Sequence, residues 1–385
     1  MSADRTAAAR ASMVEQLTRD GWLRTPAWQD AFRAVPRHLF LPRFFRLAPD
    51  RRRHEAIDRD HPDWPALIYA NTVLTTQLDS DDTRWQSARD NGPVEGTATS
   101  SSTQPSLMAS TLEALEIHDG QRVLEVGTGT GYNSGLLCHR LGDELVTSVE
   151  YDPTVAKHAR HALEETGYHP TLVTGDGVEG HPAGAPYDRL IATYSVPAIP
   201  PAWLHQVRPG GVLVVSLYRD LGVGLMLRLV VDDGTAHGHL LPDCAYFMPT
   251  RTHTDLDTDT LLRTASKQPT ETVRSSTLPA PISDTASGWT ALAGLLLPEV
   301  ARLDISRSDG AVQWLVHPDG SWAYYQSTDH QVEQGGPRRL WNEVEAAYDR
   351  WQQLDQPARE RFGLTVLADG TQRIWLDHDK NVVTS

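Results

Sequence analysis

The chain has 385 residues and carries 50 acidic against 35 basic side chains, a formal charge of −15. That length exceeds one small domain. With 39% apolar residues, 28 Gly and 25 Pro, collagen-like and wholly disordered chains are excluded, and the negative balance argues against nucleic acid or an anionic membrane as partner.

In chain order, residues 1–78 open with Val14, Leu17, Trp22 and Leu23 at three- and four-residue steps, followed by Val35-Pro36-Arg37-His38-Leu39-Phe40, which predicts a helical opening segment. Residues 79–105 are polar, rich in turn formers and almost free of aliphatic side chains, so a long loop is expected there, ending in Ser100-Ser101-Ser102-Thr103. Over residues 106–250 short Val-, Ile- and Leu-rich runs alternate with helical segments: RVLEV, LVTSVE, TLVTG, DRLIATY and GVLVVSL. This predicts an α/β fold, a doubly wound and mostly parallel sheet, with an antiparallel pair added at its edge around Asp232-Asp233-Gly234. Residues 251–287 shift to Thr, Ser, Pro and Asp and predict a linker. Residues 288–385 predict a small α+β module, with hairpins turning at Pro318-Asp319-Gly320 and Asp369-Gly370.

The motif that carries chemistry is Glu125-Val126-Gly127-Thr128-Gly129-Thr130-Gly131-Tyr132, between the first strand of the alternating region and its helix, where glycines let a ligand approach the backbone. Its glycine spacing is neither the dinucleotide fingerprint nor the phosphate-cradling loop with lysine. Glu150 ends the second strand, where a carboxylate can accept both hydroxyls of a ribose. Gly175-Asp176-Gly177 follows the third strand and places another carboxylate able to accept from an exocyclic amine. Two carboxylates without a phosphate anchor suit a zwitterionic nucleoside such as S-adenosylmethionine.

E-V-G-T-G-T-G-Y with the downstream acid and G-D-G resembles the class I S-adenosylmethionine-dependent methyltransferases. Val35-Pro36-Arg37-His38-Leu39-Phe40, Thr103-Gln104-Pro105 and Asp188-Arg189-Leu190-Ile191-Ala192-Thr193 narrow the resemblance to the protein-L-isoaspartate O-methyltransferases, over roughly residues 12–225. The resemblance implies that Gly127, Thr128 and Gly129 contact the methionine part of the cofactor, Glu150 the ribose and Asp176 the adenine, with Glu125, Gly131 and Gly177 completing the cofactor motifs. It places Thr103 where the family has a serine beside the methyl-accepting carboxyl group, and Ser101 and Ser102 join it as hydroxyl donors. The stretch between Phe40 and Thr103 is much longer than in the repair enzymes, and the region after Thr250 is extra. In that extended form the chain resembles methyltransferases of ribosomally made, modified peptides, those of ATP-grasp-ligated graspetides and of lanthipeptides. Their substrate is an aspartate in a macrocyclic precursor peptide and their product an aspartimide. General repair of isoaspartyl proteins is the alternative.

Methylation of an ionised carboxylate needs no general base, since an aspartate titrates near 3.9. It needs the reacting atoms aligned and water kept out. An acidic substrate also calls for local positive groups, for which Arg37 and Arg51–Arg53 are candidates, and the Trp-rich C-terminal module is expected to help grip the peptide. Asp255, Asp257 and Asp259 imitate a calcium loop but lack its glycine and closing glutamate, and His158 and His161 lack a third ligand, so no metal is expected. His38 reads as a structural residue, and Tyr194 and Ser195 as possible contacts at the sheet edge. Cys138 and Cys244 cannot build a disulfide framework, and no leader-like apolar core opens the chain. A cytoplasmic enzyme is expected.

Overall fold

The computed structural model describes residues 2–245, 247–251, 258–279, 282–307 and 310–383. The chain divides into two compact units. The first comprises 1–193, 202–214 and 230–234, and the second 194–201, 215–229 and 235–385. Among the described residues no helix is long and apolar enough to cross a membrane.

In the first unit, helix Ser2–Arg19 is followed by Pro26–Ala34, which opens on proline at its first turn and buries Trp28, Ala31 and Phe32. The opening segment is not helical throughout. Strands Arg43–Leu47, His54–Asp58 and Leu74–Leu78 follow, and with Ala98–Ser102 they form a four-stranded sheet in the order His54–Asp58, Arg43–Leu47, Leu74–Leu78, Ala98–Ser102. The expected loop 79–105 is therefore largely regular structure. Its helix Thr83–Asn91 buries Trp85 and Ala88 against Phe45 and Leu78, with the Trp85 indole donating to the Phe44 carbonyl. Its serine run is a strand whose alternate residues Ser100 and Ser102 are buried, and Thr76 Oγ1 donates to Ser100 Oγ at 3.0 Å. Buried hydroxyls with partners stand in for aliphatic side chains, which is why composition alone misread the segment.

The same unit holds parallel strands in the order Thr171–Thr174, Val146–Glu150, Val123–Val126, Tyr187–Val196, the last running on into the second unit. Val123–Val126 and Val146–Glu150 are buried at every residue, as strands covered on both faces must be. Crossover helices Tyr132–Leu141 and Pro153–Glu165 complete the doubly wound pattern, the second capped by Asp152 accepting from the Thr154 and Val155 amides. This is the doubly wound α/β fold expected from the alternating runs, as the resemblance to the class I S-adenosylmethionine-dependent methyltransferases also implied.

Leu225–Asp232 and Thr235–Leu240 form the expected hairpin, and in the second unit Thr235–Leu240 pairs antiparallel with Phe362–Val366, which pairs with Gln372–Leu376. A five-stranded sheet runs Thr272–Ser275, Gln331–Gly335, Trp322–Gln326, Gly310–Val316, Ala301–Arg307. Helix Leu340–Gln353 lies against it with the Trp341 and Tyr325 rings stacked at 4.6 Å. The stretch 251–287, expected as a linker, carries helix Thr258–Ala265 and a strand of this sheet. Asp255 and Asp257 of the calcium-like run lie outside the described residues.

Candidate cofactor and acceptor site

Four segments of the first unit meet at the carboxyl edge of the parallel strands. The glycine loop leaves Val123–Val126 with Gly127, Gly129 and Gly131 at φ of +97°, +56° and +85°, a left-handed run that side-chain-bearing residues resist. Gly127 and Thr128 donate to the Val149 carbonyl at 2.8 and 3.3 Å, and Thr128 Oγ1 lies 2.6 Å from Ser148 Oγ, so the loop is tied to the neighbouring strand. Thr193 Oγ1 donates to the carbonyls of Val126 and Gly127 from the other side. A Cβ on Gly129 would meet only the Ser101 carbonyl, at 3.7 Å, so the loop passes directly by the serine strand. A Cβ on Gly131 would press on Ala159 and Leu163 at 3.3 Å, so that glycine serves helix packing.

Glu150 accepts the Gly129 amide on Oε2 at 2.8 Å and the Asp152 amide on Oε1 at 3.0 Å. A carboxylate oxygen accepts from more than one donor, which suits a carboxylate at this strand end to a ribose diol. Asp176, half-buried, accepts the Val178 amide and caps the single turn Gly177–Glu179, while the Trp203 indole fixes the Gly177 carbonyl at 2.8 Å. Tyr151, next to Glu150, exposes 52% of its surface, an aromatic face that the sequence reading passed over. A glycine-rich loop, a carboxylate at the strand end and an exposed ring fit an adenosine sulfonium without asking for a phosphate anchor.

Glu125 departs from expectation. Its carboxylate is fully buried and accepts from Asn133, Ser134 and Ser148, which closes it to any ligand. Burial pushes its pKa up to about 7 against the pull of those three donors. Its place is beneath the loop, tying the cofactor strand to the first turn of Tyr132–Leu141.

On the acceptor side, Ser102 is buried, Thr103 is half-buried, and Ser101 lies on the opposite face of the strand from Ser100 and Ser102. The residue organising this turn is Arg37. This candidate positive group is fully buried. Its Nη1 donates to the carbonyls of Ile68 at 2.6 Å and Ala70 at 3.4 Å, and its Nη2 to Ser102 Oγ at 3.3 Å and the Thr103 carbonyl at 3.1 Å. A charged residue inside the apolar run Val35–Leu41 was the signal for a buried guanidinium. His38 bonds the Tyr69 hydroxyl at 2.7 Å and lies edge-on to Trp64, with burial holding its pKa below the ordinary value, a structural arrangement. Arg51, Arg52 and Arg53 are exposed, and Arg53 pairs with Asp50. A cavity of about 530 Å³ opens beside Gly129 and Thr130, walled by Phe40, Arg43, Ser100 and His158. In the second unit Ser195 is buried and bonded to Ser216 and the Phe247 carbonyl, which gives it a structural place.

The sequence profile of the protein-L-isoaspartate(D-aspartate) O-methyltransferases matches residues 81–246. A protein-L-isoaspartate O-methyltransferase of Hyperthermus butylicus is 32% identical over 62% of this chain and 87% of its own length. One from an Anaeromyxobacter species is 42% identical over 55% of this chain and 81% of its own length. A solved protein-L-isoaspartate O-methyltransferase superposes with a TM-score of 0.56 at 22% identity, covering 96% of this chain and all of that one, a likeness of fold. With the glycine loop, the Glu150 carboxylate and these relatives together, the chain belongs to the protein-L-isoaspartate O-methyltransferase family, S-adenosylmethionine-dependent carboxyl O-methyltransferases.

Proposed function

We propose that the enzyme methylates an aspartate side chain in a macrocyclic, ribosomally made precursor peptide, of the kind closed by ATP-grasp or lanthionine chemistry. In this reading Gly127, Thr128 and Gly129 cradle the methionine part of the cofactor, Glu150 takes the ribose and Asp176 the adenine. Thr103 and Ser102 hold the acceptor carboxylate, with Ser101 on the other face of the strand beside Gly129. The cofactor supplies a methyl group on a sulfonium. The ionised carboxylate oxygen forms the new C–O bond as the C–S bond breaks, so no proton has to be removed first. The backbone nitrogen following the esterified aspartate then attacks the ester carbonyl, losing its proton and expelling methanol, to close a succinimide.

The observation that carries the specialised substrate is the four-stranded sheet of residues 43–102. It helps wall a cavity beside the glycine loop and delivers the Ser102-Thr103 turn from the end of a paired strand rather than from a short link. A rigid wall of this kind favours a substrate whose shape is fixed beforehand, because a preorganised ring loses less entropy on binding. The Trp-rich module of residues 288–385 is proposed to bind peptide. The test compares a cyclised precursor with its linear form. The cyclic peptide should gain one methyl group, or lose one water overall after imide closure, with at least tenfold higher kcat/KM. Equal turnover of the two, with fast methylation of a short isoaspartyl peptide, would instead establish general repair.

A further inference from the structure

Arg37 carries a positive charge into the interior of the first unit. Among the described residues no carboxylate pairs with it, its Nε is buried without a hydrogen-bond partner, and its neighbours are carbonyls, one hydroxyl and the Tyr132 ring, 5.9 Å from the guanidinium carbon. Burial brings its pKa down to about 10, which leaves it charged at neutral pH. Burying an unpaired guanidinium is costly, and a clamp for carbonyls alone could be built from neutral donors. The charge is explained if its counter-ion arrives with the substrate.

The geometry points to one place for that counter-ion. Arg37 Nη2 donates both to Ser102 Oγ and to the Thr103 carbonyl, the two residues of the acceptor turn. A serine hydroxyl that accepts from a cation has its own proton left to give, and is the stronger donor for it. We infer that Arg37 is a positioning residue for methyl transfer: through Ser102 it fixes the acceptor turn and supplies the positive charge that selects the ionised carboxylate of the substrate over its methyl ester product. This rests on the carboxylate-acceptor reading of Ser102 and Thr103. It gives the enzyme a means of releasing product, since esterification removes the charge that the site holds.

A carboxylate bonded to Ser102 Oγ would lie one hydrogen bond further out, about 6 Å from the guanidinium, and at an effective dielectric of about 20 a unit charge there favours the anion by about 100-fold. The measurement is calorimetry of the enzyme saturated with S-adenosylhomocysteine, titrated with an isoaspartyl hexapeptide whose following residue is N-methylated and separately with its methyl ester, which then cannot close to the imide. Wild type should bind the acid up to about 100-fold more tightly than the ester. Arg37→Met should bring the two affinities to within threefold, and Arg37→Lys should restore most of the difference. Thermal melting and S-adenosylhomocysteine affinity show whether each variant is folded. Should Arg37→Met not fold, Ser102→Ala in the folded enzyme serves in its place, and should cut the acid-over-ester ratio at least threefold. An equal loss of acid and ester binding in Arg37→Met, or an unchanged ratio in the folded variant tested, overturns the inference and leaves the carboxyl-methylation reading standing. Failure of the wild type to methylate any aspartyl or isoaspartyl peptide removes that reading, and the inference with it.

Discussion

Glu125→Gln tests whether the first acid of the glycine motif is a buried strut. In the folded chain burial lifts the carboxyl from its ordinary 4.5 to about 7, against the three hydrogen bonds that favour ionisation. The native state therefore binds more protons than the unfolded state between these values, and stability falls as pH rises through that window. From pH 5 to pH 8 the loss attributable to this one group is about 2.5 kcal/mol. Glutamine removes the charge and keeps the shape. Its amide nitrogen can donate to the Asn133 side-chain oxygen, which is buried without a partner, and the Ser134 and Ser148 hydroxyls can still donate to its oxygen. Urea unfolding at pH 5 and pH 8, followed by hydrogen exchange across Val123–Val126, reads the unit that contains the residue. Relative to wild type, the variant should gain about 2.5 kcal/mol between the two conditions, with affinity for S-adenosylhomocysteine changed less than threefold. Parallel pH profiles for the two proteins would refute the buried-acid account, and a large loss of cofactor affinity would return Glu125 to the ligand.

Glu150→Gln should weaken S-adenosylhomocysteine binding at least about tenfold by calorimetry, since hydrogen bonds to a charged acceptor contribute about 1.5–3 kcal/mol. Thr103→Ala should spare that binding and lower methyl transfer about 10- to 100-fold, with Thr103→Ser recovering it, and full activity of the alanine variant would remove Thr103 from the acceptor site. The loop glycines should separate in the same way. Gly131→Ala, strained at φ +85° and pressed on Ala159 and Leu163, should cost about 2–3 kcal/mol in denaturation, whereas Gly129→Ala has room and should cost about 1 kcal/mol while losing cofactor affinity.

What the sequence disclosed was what is local. The strand, glycine turn and helix of residues 123–141 are neighbours in the chain, and glycine spacing with short apolar runs sets them in place before any tertiary contact is known. Glu125 shows the limit of that logic. Val123–Val126 is buried at every residue, so its sequence has no polar alternation to say which face an acid occupies, and only the positions of Asn133, Ser134 and Ser148 decide that it points away from the ligand. The serine strand Ala98–Ser102 failed for a related reason. Average composition assigns serine to loops, but a hydroxyl with a partner is at home in a buried strand, and the partners Thr76 and Arg37 lie far off in sequence. Arg37 combines both difficulties. Its motif was visible and its burial could be inferred from the apolar run around it, but its four acceptors come from residues 68, 70, 102 and 103. The residues that carry chemistry were legible in proportion to how few distant partners decide their state, and a buried charge, whose energy is set almost wholly by such partners, is the least legible of all.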